Sequence, residues 1–360
     1  FDSEPTRRNI VGVAREFPEI AKQGVFLRKY GQEVIRHTAG KRIHGTGAVP
    51  GGVNKGISRA ERDEMRRDID RMIEWALSAV HLVAELHRAK PEFYDHFGEF
   101  SSAMMSLVAA DGAMDFYHGG LRALDADGGT IFDGVDYGGY QQVLEEQVKP
   151  WSYMKFPHIR SLGPEKGWYK VGPLARVQTC DRIPTPLAEM ERQKLVARGE
   201  GKPVMGTLYY HWARLIELLH ATEVIRDLLD DPDLLGTDLM ADKGERRSEA
   251  VGVIEAPRGT LFHHYRVDEN DQVTFCNLIV STTNNNQAMN EAIRSVALGY
   301  LDGRTITEGL LNHIEVAIRA YDPCLSCATH ALGKMPLEVD LVDAEGTLVQ
   351  RARRNMGPER

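Results

Sequence analysis

The chain has 360 residues, of which 42% are hydrophobic and 27% charged, and its 44 basic and 52 acidic side chains leave a net charge of −8. That length supports one large or two ordinary domains with a sizeable core, and the charge balance excludes an extended basic groove for nucleic acid. Four cysteines make no disulfide framework, no run approaches the roughly 18 apolar residues of a membrane span and no signal peptide is recognisable, so the expectation is a cytoplasmic protein without a membrane span.

Residues 4–36 carry apolar positions at helical spacing, with Pro18 as an interruption. A Gly-rich stretch, 40–56, follows and reads as a tightly packed loop. It is neither a P-loop nor a dinucleotide fingerprint. Ser58 and Glu61 form a capping box ahead of Met65, Ile69, Met72, Ile73, Ala76, Val80, Val83 and Leu86, which predict a long amphipathic helix. The arginines at 62, 66, 67 and 71 alternate with acids and read as a solvated helix face. Short β-like runs are expected over 113–135, and helices over 138–148, 186–198 and 206–229. Residues 248–282 change character and predict three strands. Helices then cover 286–301 and 305–320, the second opened by Thr305 and Glu308. A short hairpin and a basic tail end the chain. The fold class is mainly α with a small antiparallel β portion.

The chemistry is densest at the end of the last helix. Asp322-Pro-Cys-Leu-Ser-Cys-Ala-Thr-His330 sets Cys324, Cys327 and His330 in one short loop, with Pro323 ending the helix. Two thiolates two residues apart can grip one metal ion from a single turn. A closed zinc site would need a fourth ligand, and neither Cys180 nor Cys276 belongs to a second CxxC. A thioredoxin-type dithiol is disfavoured because the motif follows a helix. Glu255-Ala-Pro-Arg258-Gly259 places an arginine between two predicted strands, where it either aims into a cavity or pairs with a surface carboxylate. The run 281–286, Ser-Thr-Thr-Asn-Asn-Asn, reads as an N-cap or as a set of donors to a bound anion. Composition alone does not account for Tyr153–Pro157 or Tyr169–Arg176.

Taken together, Asp322–His330, Glu255–Gly259, the Gly-rich 40–53 segment and Tyr169–Arg176 resemble the large, catalytic subunit of [NiFe] hydrogenases, most closely the cytoplasmic NAD(P)-linked bidirectional type. The similarity runs over essentially the whole chain and implies the [NiFe] hydrogenase large-subunit fold. It also implies a NiFe(CN)2(CO) center, with Cys324 as a terminal nickel ligand and Cys327 as a bridging one. Thiolates suit redox-active nickel because they are soft donors. The resemblance further assigns Arg258 and Asp322 to a charged canopy above the metals, where Arg258 assists heterolytic H2 cleavage as a base or as an electrostatic partner. Pro257 shapes that canopy, and Thr282 bonds a cyanide. His330 and the Leu278 carbonyl become ligands of a nearby Mg2+.

The family's first CxxC pair does not occur among these residues, so the expectation is an N-terminally truncated sequence that is inactive by itself. Residues 1–330 are read as the hydrogenase domain and 331–360 as an extension removed on maturation. The implied partners are a small iron–sulfur subunit, flavin- and NAD-binding diaphorase subunits, a maturation protease and nickel-insertion proteins. No NAD or iron–sulfur cluster is expected on this chain. The alternatives are a sulfhydrogenase or F420-linked large subunit, or a cofactor-free scaffold like the quinone-site subunit of respiratory complex I.

Overall fold

The computed structural model describes residues 4–242, 244–301, 303, 305–324 and 337–354. Two apolar cores organise them. The helical core is built on the helices Ile69–Ala89 and Tyr209–Asp230, which pack along each other through Ile69, Met72, Ala76 and Val80 on one side and Trp212, Ala213, Ile216 and Leu219 on the other. These positions recur at three and four residues, so each helix buries one stripe. The helices Asn286–Tyr300 and Glu308–Ala320 close this core from a second side.

The second core lies between sheets. One sheet orders the strands Thr130–Val135, Gly120–Leu124, Ala103–Val108 and Tyr169–Lys170, the last pair parallel and the others antiparallel. The other is an antiparallel meander of Glu249–Ala256, Gly259–Val267 and Val273–Ile279. Leu107, Leu121, Val171, Val253, Phe262 and Ile279 fill the space between them. The short helix Pro173–Thr179 joins the two cores, since it packs on both the 103–108 strand and the 209–230 helix.

The three strands over 248–282 lie where their β-branched and aromatic runs predict them. The Ser58–Glu61 capping box is present, with both reciprocal hydrogen bonds. It caps a helix of only eight residues, Arg59–Arg66, because the chain kinks before the Ile69–Ala89 helix starts. Pro18 interrupts the helical stretch as expected: one helix, Ile10–Glu16, ends before it, and Pro18 opens the next, Pro18–Ala39, where proline's missing N–H is harmless. The last helix is capped by Thr307, not Thr305, and starts at Glu308.

The helix expected over 138–148 is not formed. Residues 137–142 make a 3-10 turn, and Leu144–Lys149 pairs with Ser152–Ile159 as a hairpin. The Gly-rich 40–56 loop approaches backbone: Val53 N donates to Leu239 O, and a Cβ on Gly52 would sit 2.1 Å from that oxygen.

Candidate active site

The site is built around the two-residue connection Pro257-Arg258, which links the strands ending at Ala256 and starting at Gly259. Gly259 has φ +139°, and a Cβ there would stand 2.2 Å from Val171 Cγ2. Gly172 has φ +91°, and a Cβ there would stand 2.8 Å from the Arg258 carbonyl. Two glycines therefore let the Tyr169–Arg176 segment lie flat beneath the turn, in conformations that residues with side chains rarely adopt. Asn285 stitches the same contact, accepting from Val171 N at 2.9 Å and donating to Arg258 O at 3.4 Å.

From this seat Arg258 reaches the end of the 308–320 helix. Its Nε donates to the Asp322 carbonyl at 2.5 Å and its Nη2 to Asp322 Oδ1 at 3.4 Å. Asp322 itself has φ +50°, an uncommon conformation for a residue with a side chain. Two residues on, Cys324 N donates to Thr282 Oγ1 at 3.0 Å. The fold thus brings Arg258, Thr282, Asp322 and Cys324 together from three distant stretches of chain. Pro257 stands in the same turn. Leu278 lies on the strand that leads into Thr282, with its main chain paired against His263 and its side chain exposed. Cys327 and His330 lie outside the described residues.

The 281–286 run makes no side-chain N-cap bond. Ser281 Oγ donates to Gly259 O, and Asn284 donates to Thr260 O while accepting from Tyr169 OH. Asn286 donates to Lys155 O. These side chains are spent on neighbouring backbone and a tyrosine, and only Thr282 turns to the cysteine loop. His264 is held by Glu249 and Tyr140, and His263 is exposed. Cys180 is buried, and burial pushes its thiol up to about 12, which leaves it unreactive.

Behind the turn sit groups that motif reading missed. Arg176 is 1% exposed and forms a bidentate pair with Glu217, and it also bonds Glu255. Arg214 donates to Ala320 O at 3.0 Å and so holds the chain two residues before Asp322. His211, one helical turn before it, is pushed down to about 4, chiefly by burial and then by the Arg214 charge, and is neutral at pH 7. Arg176 belongs to the Tyr169–Arg176 string, so that signal is visible in the sequence; Glu217 and Arg214 sit in an ordinary amphipathic helix and give none.

The nickel-dependent hydrogenase family profile matches residues 106–330. The beta subunit of the NAD-reducing hydrogenase HoxS of Cupriavidus necator is 46% identical over 363 residues, covering 98% of this chain and 74% of that protein. The chain belongs to the nickel-dependent hydrogenase family. The matching subunit of the F420-non-reducing hydrogenase vhc of Methanococcus voltae is 38% identical, covering 92% of this chain and 70% of the relative. Among solved structures, an NAD+-reducing [NiFe]-hydrogenase in the H2-reduced state superposes with TM-score 0.88 and 51% identity, over 91% of this chain and 72% of the other. The [NiFeSe]-hydrogenase of Dm. baculatum, at 18% identity and TM-score 0.65, shares the fold over 87% of this chain and 69% of the other.

The residues gathered at this turn fit one wall of a nickel–iron group. Cys324, disulfide-bonded in the structure, would bring a soft sulfur donor once reduced to its thiolate, Thr282 brings a hydroxyl and Arg258 a fixed cation suited to anionic ligands. A separate trio, Glu33, His37 and Glu64, brings ligand atoms within 4.8 Å of one another. Its donors are oxygen and nitrogen, and Arg36 already bonds Glu33 at 2.6 Å and His37 at 2.9 Å. That trio is an ion-pair network, not a hydrogenase center.

The packing around the turn sets the stability of two positions. Gly259→Ala forces a methyl against Val171 and a strained φ, so a loss of about 2 kcal/mol or more in stability is expected. A drop in the denaturation midpoint of the purified protein checks this. Lys170 is fully buried, donates to Met205 O at 3.0 Å and lies 3.9 Å from the Phe100 ring centroid. Burial pushes it down to about 7 from 10.5. Below pH 7 it is charged in both the folded and unfolded chain, so its burial penalty is at its greatest. Between these values the unfolded chain binds the extra proton, so stability contributed here rises with pH. The parent should therefore gain stability relative to Lys170→Met between pH 7 and pH 10, read as the difference between their urea midpoints. A difference that is flat or falls with pH contradicts the assignment.

Proposed function

We propose that this chain is the catalytic large subunit of a NAD(P)-linked [NiFe] hydrogenase, which interconverts H2 with two protons and two electrons. The observation that carries the reading is the meeting of Arg258 and Asp322 at the cysteine loop that Thr282 secures. Cys324 and Cys327 would hold nickel, with Thr282 and Pro257 beside the iron's diatomic ligands. When bound, the nickel–iron group supplies the redox chemistry that takes up the electrons of H2.

The protein's own part is charge and orientation. Arg258 commits Nε and Nη2 to Asp322. Nη1 makes no hydrogen bond among the described residues, so that edge of the fork is uncommitted there. A cation fixed there favours charge separation as the H–H bond polarises, without reorganising during the step. Asp322 orients the fork and offsets its charge.

The remaining roles extend the same reading. His330 and the Leu278 carbonyl would hold a Mg2+ that braces the chain end. Electrons would leave through a small iron–sulfur subunit to diaphorase subunits, where NAD binds. No described helix is long and apolar enough to cross a membrane. Maturation proteins would insert nickel before residues 331–360 are cleaved away. The strands Leu337–Val342 and Leu348–Arg354 pair as a hairpin, whose Arg351 bonds Asp340 and whose Leu337, Val339 and Leu341 rest on the helical core. A polar hairpin of this size cannot follow His330 into a buried site.

Two experiments on the complete enzyme test this. Purified complex should contain nickel and iron and reduce NAD(P)+ with H2. Arg258→Lys, which loses the planar fork, should retain both metals and lose about 100-fold in H2 oxidation. Near-normal turnover in that variant refutes the role of Arg258, while zinc, or no metal, in the parent refutes the hydrogenase reading. Intact-mass spectrometry of the active enzyme should find the large subunit ending at His330, and retention of 331–360 would overturn the processing step.

A further inference from the structure

We propose that Arg176 is a positioning residue for H2 cleavage, aiming Arg258 from behind without touching substrate or metals. The proposal rests on the hydrogenase reading above. Arg176 has five N–H donors, and the structure gives every one a partner. Nε and Nη2 meet Glu217 at 2.6 and 2.7 Å. Nη1 meets Glu255 Oε2 and the Ala256 carbonyl, both at 2.8 Å, and Nη2 also meets the Pro257 carbonyl at 3.3 Å. Three of the five bonds therefore land on consecutive residues, 255, 256 and 257, immediately before Arg258.

Glu255 carries the hold to the other strand of the hairpin and to the neighbouring sheet. It accepts from Thr260 Oγ1 at 2.7 Å and from Leu107 N at 2.9 Å. The base of the turn is thereby fixed in position and in rotation by one planar, fully buried fork. A two-residue β-turn needs no buried guanidinium to form. An ion pair in the interior is also, on balance, about as stabilising as well-packed apolar side chains. What the fork supplies beyond stability is direction: it fixes where the next side chain in the chain points. Arg258 then reaches Asp322 with Nε and Nη2, and a displacement of about 1 Å at such a site costs about 100-fold in rate.

The test compares Arg176→Lys, Arg258→Lys and the double variant in the purified holoenzyme, after confirming that the parent contains nickel and iron and oxidises H2. A parent that fails this control defeats the hydrogenase reading; a parent that passes it leaves only the role of Arg176 at stake. In metal-replete Arg176→Lys, kcat should fall 30- to 100-fold with KM for H2 within about twofold. The infrared bands of the iron's diatomic ligands should shift, because the Arg258 charge has moved. Added to Arg258→Lys, the same substitution should cause no further loss, since the fork it aims is already gone. Turnover within about threefold of the parent, unmoved bands, or losses that multiply in the double variant would overturn the proposal. If Arg176→Lys does not accumulate with its metals, Glu217→Gln takes its place. It loosens the fork but leaves the three bonds to 255–257 possible. A smaller loss that vanishes in the Arg258→Lys background is then expected, and a multiplicative loss again overturns the proposal.

Discussion

A single buried guanidinium, Arg176, links the two cores of this protein. It sits on the short helix between them, pairs with Glu217 of the helical core and bonds Glu255 of the sheet core. Two glutamate side chains crowd around that one buried guanidinium. Such a group is tolerable only because every donor and most acceptors are met. Removing one partner would strand a buried charge, which costs about 3–5 kcal/mol. The register of the helical half against the sheet half is therefore not free to slide.

The same constraint explains why distant strings of sequence matter together. Tyr169–Arg176 supplies the flat floor, through Gly172, and the fork, through Arg176. The 255–260 hairpin lies on that floor, and Ser281, Asn284 and Asn285 tie down its main chain, the two asparagines bonding the floor as well. The asparagines serve as backbone surrogates where three irregular segments meet and no regular ladder can satisfy the peptide groups. Their function is to keep a loop-built site as rigid as a sheet-built one.

How much of this is legible in the sequence depends on whether periodicity or context decides the structure. The 209–230 helix and the three strands over 249–279 announce themselves, because each buries one face and its apolar residues keep the matching period. The strand Ala103–Val108 does not, since all six residues are buried and nothing alternates. Leu144–Lys149 reads as helix because Leu-Glu-Glu-Gln-Val-Lys has helix-forming residues, and pairing with 152–159 overrides that preference. At the site, the cysteine loop and the arginine are legible as motifs. Glu217 and Arg214 are not, because a helix face that happens to bury a charge looks locally like any other.

Asp322 shows how the pieces are balanced. Its φ of +50° is uncommon for a residue with a side chain, and the local support is one bond at the helix end, from Asp322 N to Arg319 O at 2.9 Å. It persists because the surroundings over-determine it. Arg214 holds the carbonyl of Ala320, Arg258 holds the carbonyl of Asp322 itself, and Thr282 holds the amide of Cys324. Three anchors on five consecutive residues leave the turn one conformation, and Pro323 denies it a helical alternative. The turn sets Asp322 against Arg258 and starts the cysteine loop from a fixed point. Each anchor comes from a different element, so the geometry of residues 320–324 depends on the helical core, the hairpin and the 281–284 turn together.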